Sequence, residues 1–222
     1  MMIFNNVCPY ITEEFSKCKK RTIKVNGRGT VDASPDIAII SAGVITEDKN
    51  AQNAQNQNDL IINNIISALI RIGIKREDIK TQSYTIYPNY DFVEGKQILN
   101  GYRATHILEI KVNDLDKVGL VLNTVMENGA NQINQIEFTI KDSAKYYNRA
   151  LKLAIADAAG KAETISEAMK VMLDMVPCSI IELSTSFSPL TEQGVMKLAA
   201  LDVVMPGKIK VTATIEAEYV YY

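Results

Sequence analysis

The chain has 222 residues, 47% of them apolar and 23% charged, with a formal net charge of −2. That length buries a sizeable core, and the balance is that of an ordinary globular protein. It excludes a global attraction to nucleic acid, and no stretch approaches the ~20 apolar residues of a membrane-spanning helix. Cys8, Cys18 and Cys178 share no repeated spacing, and His106 is the sole histidine, so neither a disulfide framework nor a Cys/His zinc site is expected.

Residues 1–21 read as an irregular lead-in. Asn5, Asn6, Pro9, Glu13 and Glu14 interrupt the hydrophobes, which does not match the basic start and apolar stretch of a secretory leader. The expectation is a cytoplasmic protein; a leader removed from the native chain would instead allow an envelope or secreted location. The short basic stretch Lys17, Lys19, Lys20, Arg21 and Lys24 reads as a solvated face.

From residue 22 the chain alternates. Ile23, Val25, Gly27, Gly29 and Val31 share one face of a strand, and the two glycines leave a flat notch suited to the close approach of a helix. Ala33-Ser34-Pro35 turns the chain, and Ile37–Ile45 is apolar on both faces, as in a central strand. Residues 49–72 predict a helix with Ile61, Ile62, Ile65, Ile66, Leu69 and Ile72 as its stripe, a Gln/Asn-rich first half, and Gly73 just past its end. Asp78–Tyr90 and Gln97–Val112 predict two strands of a hairpin turning at Asp91–Lys96. In the second strand Tyr102, Ala104, His106, Leu108, Ile110 and Val112 share the apolar face. Asp114 caps a helix that ends at Gly129, and residues 131–141 form a strand. Asp142 or Ser143 opens the longest helix, about 143–170, with Tyr147, Leu151, Ala154, Ile155, Ala158, Ala162, Ile165 and Met169 predicted as its buried stripe. Strands at 178–187 and 208–222 complete the order ββα-ββ-αβ-αββ. This is an α+β pattern, mainly antiparallel sheet with helices packed on one face, and 22–222 reads as a single domain.

One segment breaks the pattern. Ser188–Gly207 is too long and too apolar for a solvated linker. Met196, Leu198, Leu201, Val203 and Met205 in it are candidates for an oligomer contact, since a bare patch of that kind is an aggregation hazard.

Taken together, Val25-Asn26-Gly27-Arg28-Gly29, Pro35-Asp36, Asp78-Ile79-Lys80-Thr81, Tyr87-Pro88-Asn89-Tyr90, Gly101-Tyr102, Gly129-Ala130-Asn131, Asp157-Ala158, Lys161-Ala162 and Pro206-Gly207 resemble the SIMPL-domain family over about residues 22–222. The resemblance implies an α+β fold able to assemble into large ring- or barrel-like oligomers. It further implies kinship with bacterial proteins often exported to the periplasm or envelope, some linked to stress tolerance, and with a mammalian adaptor that binds a signalling kinase. It supplies no catalytic residue set. Lys170 stands where the family pattern leads one to expect a glycine ending the long helix.

Catalytic constellations are hard to find in the residues themselves. Gly27-Arg28-Gly29 lacks the third glycine and the following helix of a dinucleotide site. Any Ser-His-Asp or Cys-His mechanism must pass through His106, which lies mid-strand on an apolar face and reads as structural. The close carboxylate pairs Glu47-Asp48, Glu77-Asp78 and Asp114/Asp116 sit at element ends, where they cap and solvate. Tyr84, Tyr87, Tyr90 and Tyr102 cluster near one hairpin and are candidates for a ligand or interface surface. The reading is a non-enzymatic, self-assembling structural or interaction protein without cofactor, metal or nucleic-acid partner. The alternative is a small-molecule or peptide binding module at the hairpin of residues 84–102.

Overall fold

The computed structural model describes residues 21–93, 95–189 and 207–222. The elements follow the expected order: β1 (Thr22–Ala33), β2 (Ile37–Asp48), α1 (Ala51–Arg71), β3 (Ile79–Val93), β4 (Lys96–Val112), α2 (Val118–Glu127), β5 (Gln132–Thr139), α3 (Ser143–Met169), β6 (Ser179–Pro189) and β7 (Ile209–Val220). The protein is α+β, and its strands divide between a three-stranded sheet, β1-β7-β6, and a four-stranded sheet, β3-β4-β2-β5. These sheets belong to two compact units of the described residues, one drawn from 21–33, 142–188 and 210–222, the other from 34–93, 95–141, 189 and 207–209.

In the four-stranded unit β2 is central, as its two apolar faces require: it pairs antiparallel with β4 on one side and β5 on the other. Ala38, Ile40, Ala42 and Val44 of β2, with Leu108, Ile110 and Val112 of β4, form the sheet side of the core. Ile62, Ile65 and Leu69 of α1 and Val118, Val121, Leu122 and Val125 of α2 cover them. The helix ends obey their local chemistry. Asn50 Oδ1 accepts the amides of Gln52 and Asn53 at the start of α1, Asp114 accepts Asp116 N–H before α2, and Gly73 and Gly129 take positive φ just past the two helices. Asn131 extends the β2 edge with its side chain: Oδ1 accepts Ile45 N–H and Nδ2 donates to Ile45 O, both at 2.8 Å.

The three-stranded unit is built on the glycine notch. Ile23, Val25, Gly27 and Gly29 of β1 are buried, and α3 lies on them so closely that a Cβ on Gly27 would stand 2.0 Å from the Ala154 carbonyl oxygen. Strands β1 and β7 run antiparallel, Lys24 meeting Glu216 at 2.7 Å and Thr30 meeting Thr212 at 3.5 Å. The buried row of α3 is narrower than the sequence pattern suggests. It consists of Ala150, Ala154, Ala158, Ala162 and Ser166, whereas Ile155, Ile165 and Met169 are exposed. A single i, i+4 row suffices because the helix rests on one strand with no side chains in the way, and bulky residues beside that row would hold the backbones apart. Lys170 itself adopts the left-handed conformation expected of a glycine there, φ 54° and ψ 44°, and ends α3.

Candidate interaction site at the tyrosine hairpin

Strands β3 and β4 outrun their neighbours. Strand β2 pairs with β4 only as far as Asp48 opposite Tyr102. Beyond that point five further pairs, from Asn89 opposite Gly101 to Val93 opposite Lys96, continue as a two-stranded ribbon. By strand alternation Tyr90, Phe92 and Leu99 share one side of it, and Asp91 and Ile98 the other. Phe92 is 72% exposed, Ile98 52%, and Tyr90 and Leu99 about half. A two-stranded hairpin is marginal on its own in water, and among the described residues this ribbon leaves its large side chains uncovered.

The four tyrosines are spread along this hairpin rather than gathered into a cage. Tyr84 stands opposite His106, Tyr87 opposite Arg103, Tyr90 opposite Leu99, and Tyr102 opposite both Pro88 and Asp48. Tyr87 is exposed and projects beside Arg103, whose Nε donates to Glu47 Oε1 at 2.6 Å.

The root of the hairpin is polar. His106 lies on the apolar face of β4, as its spacing predicts, and its ring packs on Tyr84 with centroids 4.9 Å apart and planes at 56°. His106 Nε2 and Thr81 Oγ1 are 3.0 Å apart, while His106 Nδ1 is buried without a hydrogen-bond partner among the described residues. Helix α1 brings Gln55 and Asp59 to the same place. Burial, seconded by the Asp59 carboxylate, pushes the Tyr84 hydroxyl above its ordinary range against a hydrogen bond with Gln55. Burial also holds His106 below its ordinary value of 6.5, with Asp59 opposing. The sign of the linkage follows: the unfolded chain takes up this proton more readily than the folded one, so stability is full above about pH 6.5 and falls as the pH drops toward the lower, folded value. We expect thermal unfolding of the intact protein to show this loss between pH 7 and 5 and His106→Gln to lack it. Because the chain has one histidine, the imidazole signals in an NMR titration report this group alone.

A buried polar residue above the same strands was not foreseen from the sequence. Asn58 of α1 is fully buried; its Nδ2 faces Val44 O at 3.0 Å, Ala104 O at 3.1 Å and Thr46 Oγ1 at 3.3 Å, pinning the helix to β2 and β4. The one signal for it was its spacing of four and seven residues from Ile62 and Ile65, which places it on the apolar stripe.

Gly27-Arg28-Gly29 serves helix packing. Next to it, Asp157 and Lys161 of α3 reach the backbone of β1: Asp157 Oδ2 accepts Arg28 N–H at 2.8 Å, and Lys161 Nζ donates to Asn26 O at 2.9 Å and to Asp157 Oδ2 at 2.7 Å. The Lys161 hydrogen bond, then that of Arg28, hold the Asp157 carboxyl below the usual carboxylate range. Cys178 is half-buried just before β6. Among the described residues no group of three or more His, Cys, Asp or Glu side chains is placed to hold a metal ion, and no helix is long and apolar enough to cross a membrane. Met196, Leu198, Leu201, Val203 and Met205 lie outside the described residues.

The described residues form an α+β chain with a glycine-notched strand under an alanine-faced helix and a hairpin that outruns its sheet. The chain belongs to the SIMPL family, described as a protein of unknown function (DUF541), which matches residues 23–219. It is 33% identical over 144 residues to the uncharacterized protein YggE of Escherichia coli K12, a match covering 65% of this chain and 58% of that one. It is 31% identical over 173 residues to the 26 kDa periplasmic immunogenic protein of Brucella melitensis, covering 76% of this chain and 69% of that protein. With YggE of Edwardsiella ictaluri it shares 29% over 155 residues, covering 69% and 65% of the two chains. The expected cytoplasmic location rests on residues 1–20, outside the described residues, and finds no support in a relative whose name is periplasmic.

Proposed function

We propose that this protein is a non-enzymatic, self-assembling interaction protein that meets other copies through the β3–β4 ribbon. The observation that carries the reading is the ribbon itself: five residue pairs beyond the end of β2 with Tyr90, Phe92, Ile98 and Leu99 uncovered. The apolar connection with Met196, Leu198, Leu201, Val203 and Met205 takes a share of the contact, and the Brucella relative supports a periplasmic or envelope location. A peptide or small-molecule site at the hairpin root is favoured by one observation, the His106 Nδ1 that has no partner among the described residues, but the tyrosines do not converge on it.

Light scattering on the intact chain tests the reading. The intact protein is expected at a multiple of the chain mass, and a Tyr90→Asp, Phe92→Asp variant at a smaller mass with an unchanged thermal midpoint. Leu198→Asp, Leu201→Asp tests the connection in the same way. An intact protein of monomer mass overturns the assembly function.

A further inference from the structure

The three-stranded sheet treats its two edges differently. Its order, β1-β7-β6, leaves β1 and β6 outermost among the described strands. At β1 the edge is occupied: Asp157 takes the outward amide of Arg28, and Lys161 takes the outward carbonyl of Asn26. Side chains that satisfy outward backbone groups, together with the charges they bring, keep an edge from templating another strand.

Among the described residues nothing of the kind protects β6. Cys178 N–H, just before the strand, bonds Glu218 O of β7 at 2.8 Å. By alternation the amides and carbonyls of Ser179, Ile181 and Leu183 then point away from β7, to the free edge. The one charged side chain of β6, Glu182, is held by the Tyr147 hydroxyl of α3, and its only proline is the last residue, Pro189. Exposed apolar side chains accompany the edge: Met172 and Val176 at 73%, Met175 at 53%, Ile181 at 51%, Leu183 at 50% and Ile180 at 47%. Six such side chains present on the order of 600 Å², the upper end of what a monomer leaves bare.

We propose that β6 pairs antiparallel with β6 of a second copy about a two-fold axis, joining the two three-stranded sheets into one of six strands. A copy of the same edge supplies an acceptor for each free amide and a donor for each free carbonyl, which an unrelated apolar surface does not. Two such patches bury on the order of 1,200 Å² together, the lower bound of a stable specific interface, before the backbone of the strands is added. The inference deepens the self-assembly reading, on which it rests, but uses a different surface from the ribbon, so the two are separable.

The test is a variant series in the full chain. Ile181→Pro removes an outward amide without touching the ladder to β7, and proline is tolerated at such edge positions. In the Tyr90→Asp, Phe92→Asp background the expected species is a dimer, and adding Ile181→Pro is expected to give a folded monomer with an unchanged circular dichroism spectrum. Should the proline disturb folding, Ile181→Lys with Leu183→Lys leaves the backbone intact and reads the same contact. Amide exchange at Ile181 is expected to be slow in the dimer and fast in the monomer. A ribbon variant that is already monomeric with Ile181 in place, a dimer whose mass ignores both edge variants, or an Ile181 amide protected in a monomer would each overturn the β6 contact. If the ribbon variant keeps the intact mass and the edge variant lowers it, the ribbon reading fails and the β6 contact stands.

Discussion

Gly29→Val is expected to unfold the three-stranded unit, or to lower its stability by at least ~3 kcal/mol, the top of the usual cost of overpacking. The reason is geometric. A Cβ at Gly29 would lie 1.9 Å from the Ala150 carbonyl oxygen and 2.5 Å from the Ala154 amide nitrogen, both backbone atoms that cannot swing aside. Relief requires α3 to lift off β1, which would open the contacts of Ala150, Ala154 and Ala158 and pull Asp157 and Lys161 away from the strand edge. At ~2–4 °C per kcal/mol in a chain of this size, the midpoint should fall by roughly 10 °C. Gly160→Ala supplies the opposite sign. Gly160 lies inside α3, and a methyl group added there would meet nothing within 4 Å, so alanine should raise stability by about 0.5–1 kcal/mol. Calorimetry on the pair checks both. A folded Gly29→Val protein with an unmoved midpoint would show that the helix does not need its close seat.

The same notch shows what the sequence could disclose. Period-two alternation with glycines on the buried side announces a strand that something approaches closely, and an alanine-rich helix later in the chain is the natural occupant. Element order, the central place of β2 and the helix ends at Gly73 and Gly129 were legible for similar reasons: each depends on local chemistry within a few residues. The exposure of Ile155, Ile165 and Met169 was not legible, because periodicity reports which residues share a face and not how wide the covering surface is. The division of β1 and β2 between two sheets is equally silent in the sequence, since the turn at Ala33-Ser34-Pro35 suits a hairpin as well as a crossing. At the candidate site, the tyrosines and His106 could be placed on a hairpin. That the hairpin outruns β2 by five pairs depends on where a different strand ends, which is a tertiary fact.

Asn58 is the sharpest case of a residue disguised by its neighbourhood, and its replacement by aspartate should cost more than any surface change. In the run Asn50–Asn58 it looks like one more solvated amide, yet it is the buried donor to β2 and β4. Asn58→Asp preserves shape and removes the donor. An oxygen then faces Val44 O, Ala104 O and Thr46 Oγ1, where Nδ2 stood at 3.0–3.3 Å. At pH 7 the carboxylate is buried, and the described residues offer it no cation among those contacts. A lost hydrogen bond that leaves buried groups unsatisfied costs ~1–3 kcal/mol, and an unpaired buried charge more. A loss of at least ~3 kcal/mol is expected at neutral pH. Burial disfavours the charged form, so the variant's carboxyl will titrate above its unfolded value; the folded state then binds the proton more readily, and the deficit should shrink as the pH falls. The loss of stability from His106 over pH 7 to 5 is common to both proteins, so the difference between them reports the new carboxyl alone. Denaturant melts of both proteins across that window should therefore converge on acidification. Parallel pH profiles, or a variant as stable as the parent at pH 7, would mean that water reaches Asn58 and that α1 is held to the sheet by its aliphatic stripe alone.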